Sequence, residues 1–233
     1  RIEKLCRIAE ALAREARSKA EELRQRHPDS QAARDAQKLA SQAEEAVKLA
    51  CELAQEHPNA IIAILCIVAA IAAAIAASMA AALAQRHPDS QAARDAIKLA
   101  SQAAEAVKLA CELAQEHPNA KIAVLCILAA ALAAIAAALA ALLAQLHPDS
   151  QAARDAIKLA SQAAEAVKLA CELAQEHPNA DIAEKCILLA ILAALLAILA
   201  ALLAMLHPDS QLARDLIDLA SELAEEVKER CER

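Results

Sequence analysis

The sequence predicts an all-α fold, an α-solenoid of four 60-residue helix–loop–helix repeats with eight antiparallel helices. Residues 87–120 and 147–180 are identical, which indicates an internal repeat. A His-Pro pair recurs at 30-residue intervals, and proline cannot continue a helix. The chain has no glycine and no aromatic residue and is rich in strong helix formers. We therefore expect a single domain, 1–233, with repeats 1–60, 61–120, 121–180 and 181–233, in which the first and last repeats are caps.

Short connectors, alternately HPDS and HPNA, divide the chain into helices. Each histidine is expected to end a helix, because the proline after it disfavours the helical conformation. These histidines are His27, His57, His87, His117, His147, His177 and His207. The residue after each proline is a strong N-cap type and is expected to begin the next helix. These residues are Asp29, Asn59, Asp89, Asn119, Asp149, Asn179 and Asp209. Connectors this short make neighbouring helices antiparallel.

The even-numbered helices are amphipathic and almost unchanged between repeats. Polar residues replace interior ones mainly at the two ends of the chain, as the ends of a solenoid require for solubility. Gln37 and Glu44 stand where repeat two has Ile97 and Ala104. At the other end, Glu229, Arg230 and Arg233 stand where repeat three has Leu169, Ala170 and Leu173.

The odd-numbered helices differ in sequence from repeat to repeat. About half of residues 1–26 are charged, whereas 61–84, 122–146 and 186–206 contain no charge. Their substitutions recur at steps of three and four, for example at Ile64/Val124/Glu184 and Val68/Leu128/Leu188, and so form one stripe on each helix. Interior positions of an array see the same neighbours and should carry the same residue. A stripe that varies therefore indicates an outward face that meets a partner, and its apolar zone drifts diagonally towards the last even helix.

This stripe is the predicted oligomer interface. Its residues are Ile8, Leu12, Ile61, Ile64, Val68, Ile71, Ile75, Met79, Val124, Leu128, Leu132, Ile135, Leu139, Leu142, Leu146, Leu188, Ile191, Leu192, Leu195, Ile198, Leu199, Leu202, Met205, Leu206, Leu212 and Leu216. The expected partner is a second copy of the chain, in a dimer before a ring of three to six. The alternative is an apolar ligand, a hydrophobic helix or a detergent along the same face. A pocket usually includes convergent polar groups, and Ser78 is the only such residue expected on this face.

The eight cysteines follow one another at gaps of 45 and 15 residues. Residues equidistant from a hairpin turn lie level, so all eight lie at one height and their level permits two pairings of neighbours. Only one of these pairings includes the cysteines of the polar end helices, Cys6 and Cys231. We predict the disulfides Cys6–Cys51, Cys66–Cys111, Cys126–Cys171 and Cys186–Cys231. The alternative, which a cytosolic host favours, is that the cysteines are reduced core residues.

Other functional classes find little support. The net charge is −7 and there is no basic face, so no nucleic-acid partner is expected. Three segments are long and apolar enough to span a membrane, but they alternate with charged helices and lack an aromatic belt, so no membrane partner is expected. Histidines on one edge of the array are too far apart to share a metal. Ser41, Ser101 and Ser161 have no positioned histidine, so we expect no enzyme, cofactor or small-molecule substrate.

The 60-residue helix–loop–helix repeats, the HPDS and HPNA connectors, the polar caps and the absence of glycine and aromatics resemble the de novo designed helical repeat proteins. The resemblance covers the whole chain. The apolar odd-helix surface departs from that family and resembles the members redesigned as cyclic homo-oligomers. The resemblance implies a soluble structural scaffold without natural activity or location, expressed in a bacterial cytoplasm.

Overall fold

A computed structural model describes residues 1–57, 59–117, 121–177 and 181–232. This part of the chain forms eight α-helices and no strand. They are α1 (Ile2–Arg26), α2 (Gln31–Glu56), α3 (Ala60–Arg86), α4 (Gln91–Glu116), α5 (Lys121–Leu146), α6 (Gln151–Glu176), α7 (Asp181–Leu206) and α8 (Gln211–Cys231). The fold class predicted from the sequence is confirmed.

The helices form two layers. The odd layer contains α1, α3, α5 and α7, and the even layer contains α2, α4, α6 and α8. Each helix packs on its neighbours in sequence and on the equivalent helix of the adjacent repeats. This is the contact pattern of an α-solenoid, in which each repeat touches only the repeats beside it.

The predicted helix ends lie where the histidines do, but the caps at the HPDS connectors differ from the prediction. Ser30, Ser90, Ser150 and Ser210 cap α2, α4, α6 and α8, and each Oγ accepts the backbone N–H three residues later. The prediction that Asp29, Asp89, Asp149 and Asp209 cap these helices is therefore wrong. The reason is that Pro and Asp occupy a tight turn, closed by a 3.1 Å bond from the Ser30 N–H to the His27 carbonyl, which delays the helix by one residue.

HPNA connectors have no serine at that place, and there the prediction is right for the described case. Asn59 caps α3, and its Oδ1 accepts the N–H groups of Ile61 and Ile62 at 3.0 and 3.4 Å. The predicted caps Asn119 and Asn179 lie outside the described residues.

Alanine dominates the core between the layers. The largest fully buried side chains are Leu and Ile residues of α1 to α7, such as Leu83, Leu113 and Leu143, surrounded by buried alanines. Small side chains let helices approach closely, so the core contains many short contacts rather than a few large residues. One continuous cluster of buried residues runs through all eight helices.

The even-numbered helices, which are almost identical in sequence, make the same hydrogen bonds between successive repeats. The hydroxyls of Ser101, Ser161 and Ser221 donate to the amide oxygens of Gln42, Gln102 and Gln162 in the preceding repeat, at 2.6, 2.8 and 2.9 Å. The side-chain amides of Gln42 and Gln102 in turn donate to Glu105 and Glu165 in the following repeat. This ladder gives Ser101, Ser161 and Ser221 a structural role between adjacent repeats.

Four disulfides join the two layers at one level of the array. They are Cys6–Cys51, Cys66–Cys111, Cys126–Cys171 and Cys186–Cys231, the pairs that the sequence predicts. Their Cα–Cα distances of 5.7 to 6.0 Å lie in the usual range for a disulfide. Each links the odd helix of a repeat to the even helix of the same repeat.

Candidate interaction surface

The outward face of the odd layer is open to solvent and apolar. None of the interface residues predicted from the sequence is buried. The exposed ones are Ile8, Ile61, Val68, Leu128, Ile135, Leu146, Leu188, Leu192, Leu195, Leu199, Leu202, Leu206 and Leu212. The half-buried ones are Leu12, Ile64, Ile71, Ile75, Met79, Val124, Leu132, Leu139, Leu142, Ile191, Ile198, Met205 and Leu216. At these positions the sequence pattern therefore located side chains that reach the surface.

Ser78 does not belong to this surface. The sequence places it on the variable stripe, but its side chain is buried, and among the described residues its Oγ has no hydrogen-bond partner. The equivalent Ala138 and Ile198 are half-buried. The described part of the outward face on α3 is thus without the polar group that the sequence assigned to it.

Charged residues mark the edges of the apolar face. Lys121 Nζ lies 3.1 Å from Glu184 Oε1, which links the first turns of α5 and α7. Arg86 is exposed at the opposite edge, where α3 ends. Between these edges, the exposed apolar residues extend from the start of α3 to the last turn of α7.

The N-terminal end of the array is charged. Seven residues of α1, spaced by three and four, lie where α3 has buried alanines or a buried isoleucine. They are Glu3, Arg7, Glu10, Arg14, Arg17, Glu21 and Arg24. Arg17 donates to Ser41 Oγ at 2.7 Å and forms an ion pair with Glu44. The hydrogen bond to Glu44 raises the pKa of the Arg17 guanidinium against the opposing effect of burial.

The C-terminal end, formed by α7 and α8, is the opposite. Along α7 an apolar row at steps of four and three faces the place where a next repeat would pack: Leu189, Leu192, Leu196, Leu199, Leu203 and Leu206. Along α8 a second row follows the same spacing: Leu212, Leu216, Leu219 and Leu223. Each of these residues is exposed or half-buried. We call these two rows the C-terminal end face.

Sequence reasoning identified half of this end face as interface and missed the other half. The residues it missed are Leu189, Leu196, Leu203, Leu219 and Leu223. Ile182 is 49% exposed, whereas the equivalent Ile62 is 1% exposed, and Leu219 is 54% exposed against 1% for Leu159. Ile182, on α7 outside the two rows, and Leu219 are unchanged in type, and they are exposed because no helix of the described residues covers them. The predicted polar residues of the last repeat lie in the last turns of α8, where Glu229 and Arg230 are exposed, and Arg233 lies outside the described residues.

Grooves at the two ends of the array carry charged linings. A cavity of about 620 Å³ lies between the start of α7 and the end of α8, lined by Asp181, Lys185, Glu229 and Arg230 among others. Another of about 430 Å³ lies between α1 and α2 and includes Glu10, Arg14 and Glu52. Neither cavity lies on the apolar outward face.

The His, Cys, Asp and Glu side chains of the described residues are not clustered as a metal site requires. No group of three or more His, Cys, Asp or Glu side chains in this part of the chain could hold a metal ion. His57 is engaged between repeats, since its Nδ1 accepts the Asn59 N–H at 3.0 Å and its Nε2 lies 3.3 Å from the Ala114 carbonyl oxygen. This geometry places the ring proton on Nε2 and gives the histidine a structural role.

Three helices of the described chain, α3, α5 and α7, are long and apolar enough to cross a membrane, by length and composition alone. Their most apolar windows are 61%, 61% and 44% buried inside the protein. Their apolar character therefore serves two purposes, because one side fills the core and the other forms the outward face.

A two-layer array of four disulfide-linked helix pairs, built from one repeated unit, defines the class of α-solenoid repeat proteins. No protein-family model matches the chain, and no curated protein matches it. Among solved structures, the chain is similar to the crystal structure of the de novo designed helical repeat protein DHR18. The identity is 82%, the TM-score is 0.99, and the match covers 100% of both chains. The chain therefore belongs to the de novo designed helical repeat proteins.

Proposed function

We propose that this designed scaffold self-associates into a symmetric homo-oligomer through the apolar outward face of α3, α5 and α7. The observation that carries the proposal is the row of exposed large aliphatic side chains on that face, including Val68, Leu128, Ile135 and Leu195. A designed helical repeat scaffold is not expected to be an enzyme, and we assign it no catalytic role.

The size of the face supports the proposal. Three helices about 39 Å long and about 10 Å apart offer on the order of 1,200 Å² of outward surface. A monomer seldom exposes an apolar patch larger than about 600 Å². A standard protein interface buries about 800 Å² per partner, so a second copy could cover this face.

The exchange of Gln for Met at the end of α7 also supports it. In α5, Gln145 Nε2 donates to the Met79 carbonyl oxygen of α3 at 2.9 Å. The equivalent residue of α7 is Met205, whose side chain has no N–H to donate. The α7 position thus lacks this side-chain hydrogen bond and carries an apolar side chain next to Leu202 and Leu206. An apolar side chain is favourable there if the last turn of α7 is covered by another chain.

We place the dimer before a ring of three to six chains, because two-fold dimers are the commonest homo-oligomers. An apolar ligand or detergent on the outward face is the alternative occupant. The described cavities of the end regions are lined by charges, so they do not favour it.

The deciding experiment is multi-angle light scattering of the purified protein at micromolar concentration, beside the double variant Ile135→Glu, Leu195→Glu. We expect an oligomer for the parent and a folded monomer for the variant, because two carboxylates would be desolvated in the contact. Gln151→Glu with Gln211→Glu, on exposed positions of α6 and α8, is the control and should keep the parent mass. A monomeric parent, or a variant that keeps the parent mass, contradicts the proposal.

A further inference from the structure

We infer that the C-terminal end face of α7 and α8 is buried against a second copy of this chain, while the charged N-terminal end stays in water. The inference rests on the proposed self-association and extends it round the corner of the array, from the odd layer to the end. The assembly that follows is closed, because the two ends of the array cannot stack on each other.

The first argument is the direction of the substitutions. Interior positions that are buried as alanine become leucine at this end: Ala129, Ala136 and Ala156 correspond to Leu189, Leu196 and Leu216. A solenoid end that meets water requires polar residues. The enlarged side chains would overpack against another repeat of the interior sequence, so they are shaped for a different surface.

The second argument is the spacing. On both α7 and α8 the leucines recur at alternating steps of three and four, the arrangement that presents knobs to a facing helix. On α8 the row ends where Glu226 and Arg230 take the next two positions. The apolar row of α8 therefore covers only the first part of the helix, as expected for a contact area of limited size. This part of α8 lies at the same edge of the array as the last turn of α7.

The third argument identifies the occupant. The opposite end of the array carries Glu10, Arg14 and Arg17 at the equivalent interior-facing positions, and Arg17 is held by Glu44. A head-to-tail stack would remove these charges from water against leucine side chains, which is costly. The surfaces of a second copy that match are its own end face or its outward face, both apolar.

The fourth argument is area. Two helices about 10 Å apart and about 32–39 Å long add on the order of 600–700 Å² to the outward face. The two surfaces are continuous along α7, because Leu199 and Leu206 belong both to the predicted interface and to the end face. One contact that wraps this corner reaches the size of a stable interface.

The test is sedimentation velocity of the oxidised full chain and the variant Leu212→Glu, Leu219→Glu. Both residues lie on α8, outside the odd layer, and are 65% and 54% exposed, so the variant should keep its helix content by circular dichroism. We expect self-association to weaken at least about a hundredfold, since each buried carboxylate costs at least about one tenfold step. The matched control Glu10→Ala, Arg14→Ala at the charged end should keep the parent mass and affinity.

A folded Leu212→Glu, Leu219→Glu variant with the parent mass and affinity would overturn the inference. If Ile135→Glu, Leu195→Glu were then still monomeric, the proposed function would stand without the end face. Dissociation of the Glu10→Ala, Arg14→Ala control, or growth of the parent into a head-to-tail fibre, would also overturn it. A monomeric parent would remove both proposals.

Discussion

Ser78 combines burial with an unsatisfied hydroxyl. Its side chain lies in the core of the odd layer, and the described residues offer its Oγ no partner. An unpaired buried hydroxyl costs about 1–3 kcal/mol, and alanine is also the better helix former. The variant Ser78→Ala should therefore raise the free energy of unfolding by about 1 kcal/mol.

The matched control for this prediction is Ser161→Ala. Ser161 donates to Gln102 at 2.8 Å, so its replacement should lower the free energy of unfolding by about 1 kcal/mol. Guanidinium chloride unfolding of the reduced proteins measures both. Equal effects of the two substitutions would mean that Ser78 has a partner after all.

The cap serines provide a second test at the scale of the residue. Ser150 Oγ accepts the Ala153 N–H at 3.0 Å and donates to the His147 carbonyl at 3.0 Å. Ser150→Ala should lower the free energy of unfolding by about 1 kcal/mol. Asp149→Ala should cost less than about half of that, because it removes a charge near the helix start but no recorded cap bond. A larger loss for Asp149→Ala in chemical denaturation would restore the aspartate as the cap.

The N-cap residue at the HPDS connectors could not be predicted from the sequence, for a physical reason. Asp and Ser are both good N-caps, and in HPDS they stand side by side. The choice depends on whether the chain turns before or after the aspartate, and the His27–Ser30 backbone bond decides it. Where only Asn59 was available, the sequence had one answer and it was right.

At the scale of the element, each helix pair is fastened by its own disulfide. Cys126 and Cys171 are 45 residues apart, and closing such a loop in the unfolded chain is worth up to about 4 kcal/mol on the chain-entropy model. Cys126→Ala, Cys171→Ala should lower the free energy of unfolding by up to that amount under oxidising conditions. Thiol alkylation of the native parent should label no cysteine.

Reduction supplies the control for the disulfide prediction. In excess reductant the parent and the Cys126→Ala, Cys171→Ala variant should unfold at nearly the same denaturant concentration, because both sites are then small buried side chains. A difference that survives reduction would show that the substitution acts through packing instead of through the crosslink.

The sequence determined the elements better than their surroundings. Copied helices and regular His-Pro pairs predict all eight helices, and the hairpin symmetry with the cysteine spacing predicts the disulfides. Exposure of the end face was not predictable in the same way. Ile182 and Leu219 look like interior residues by type, and they are surface residues because no helix of the described part of the chain packs over them.

At the scale of the whole molecule, one end of the array is charged and the other is apolar. Under the proposed self-association, this difference determines which surfaces of two copies can be in contact. Glu10 and Arg14 at one end oppose Leu196 and Leu219 at the other, while the copied even helices keep a polar outer surface between them. A repeat array would extend indefinitely if its ends were complementary. Here one end carries charged side chains and the other carries leucines, so the two ends are not complementary. This difference favours a closed assembly over a head-to-tail fibre.

Self-association should make the apparent stability depend on concentration. If the oligomer dissociates when it unfolds, a tenfold increase in chain concentration raises the apparent free energy of unfolding of a dimer by about 1.4 kcal/mol. We expect the denaturation midpoint of the parent to rise with concentration and that of Ile135→Glu, Leu195→Glu to stay constant. Circular dichroism over a range of concentrations measures both. Because the monomeric variant keeps its four disulfides and its core, the difference between the two series isolates the free energy of the contact between chains. Two flat series would mean that the apolar face stays in water.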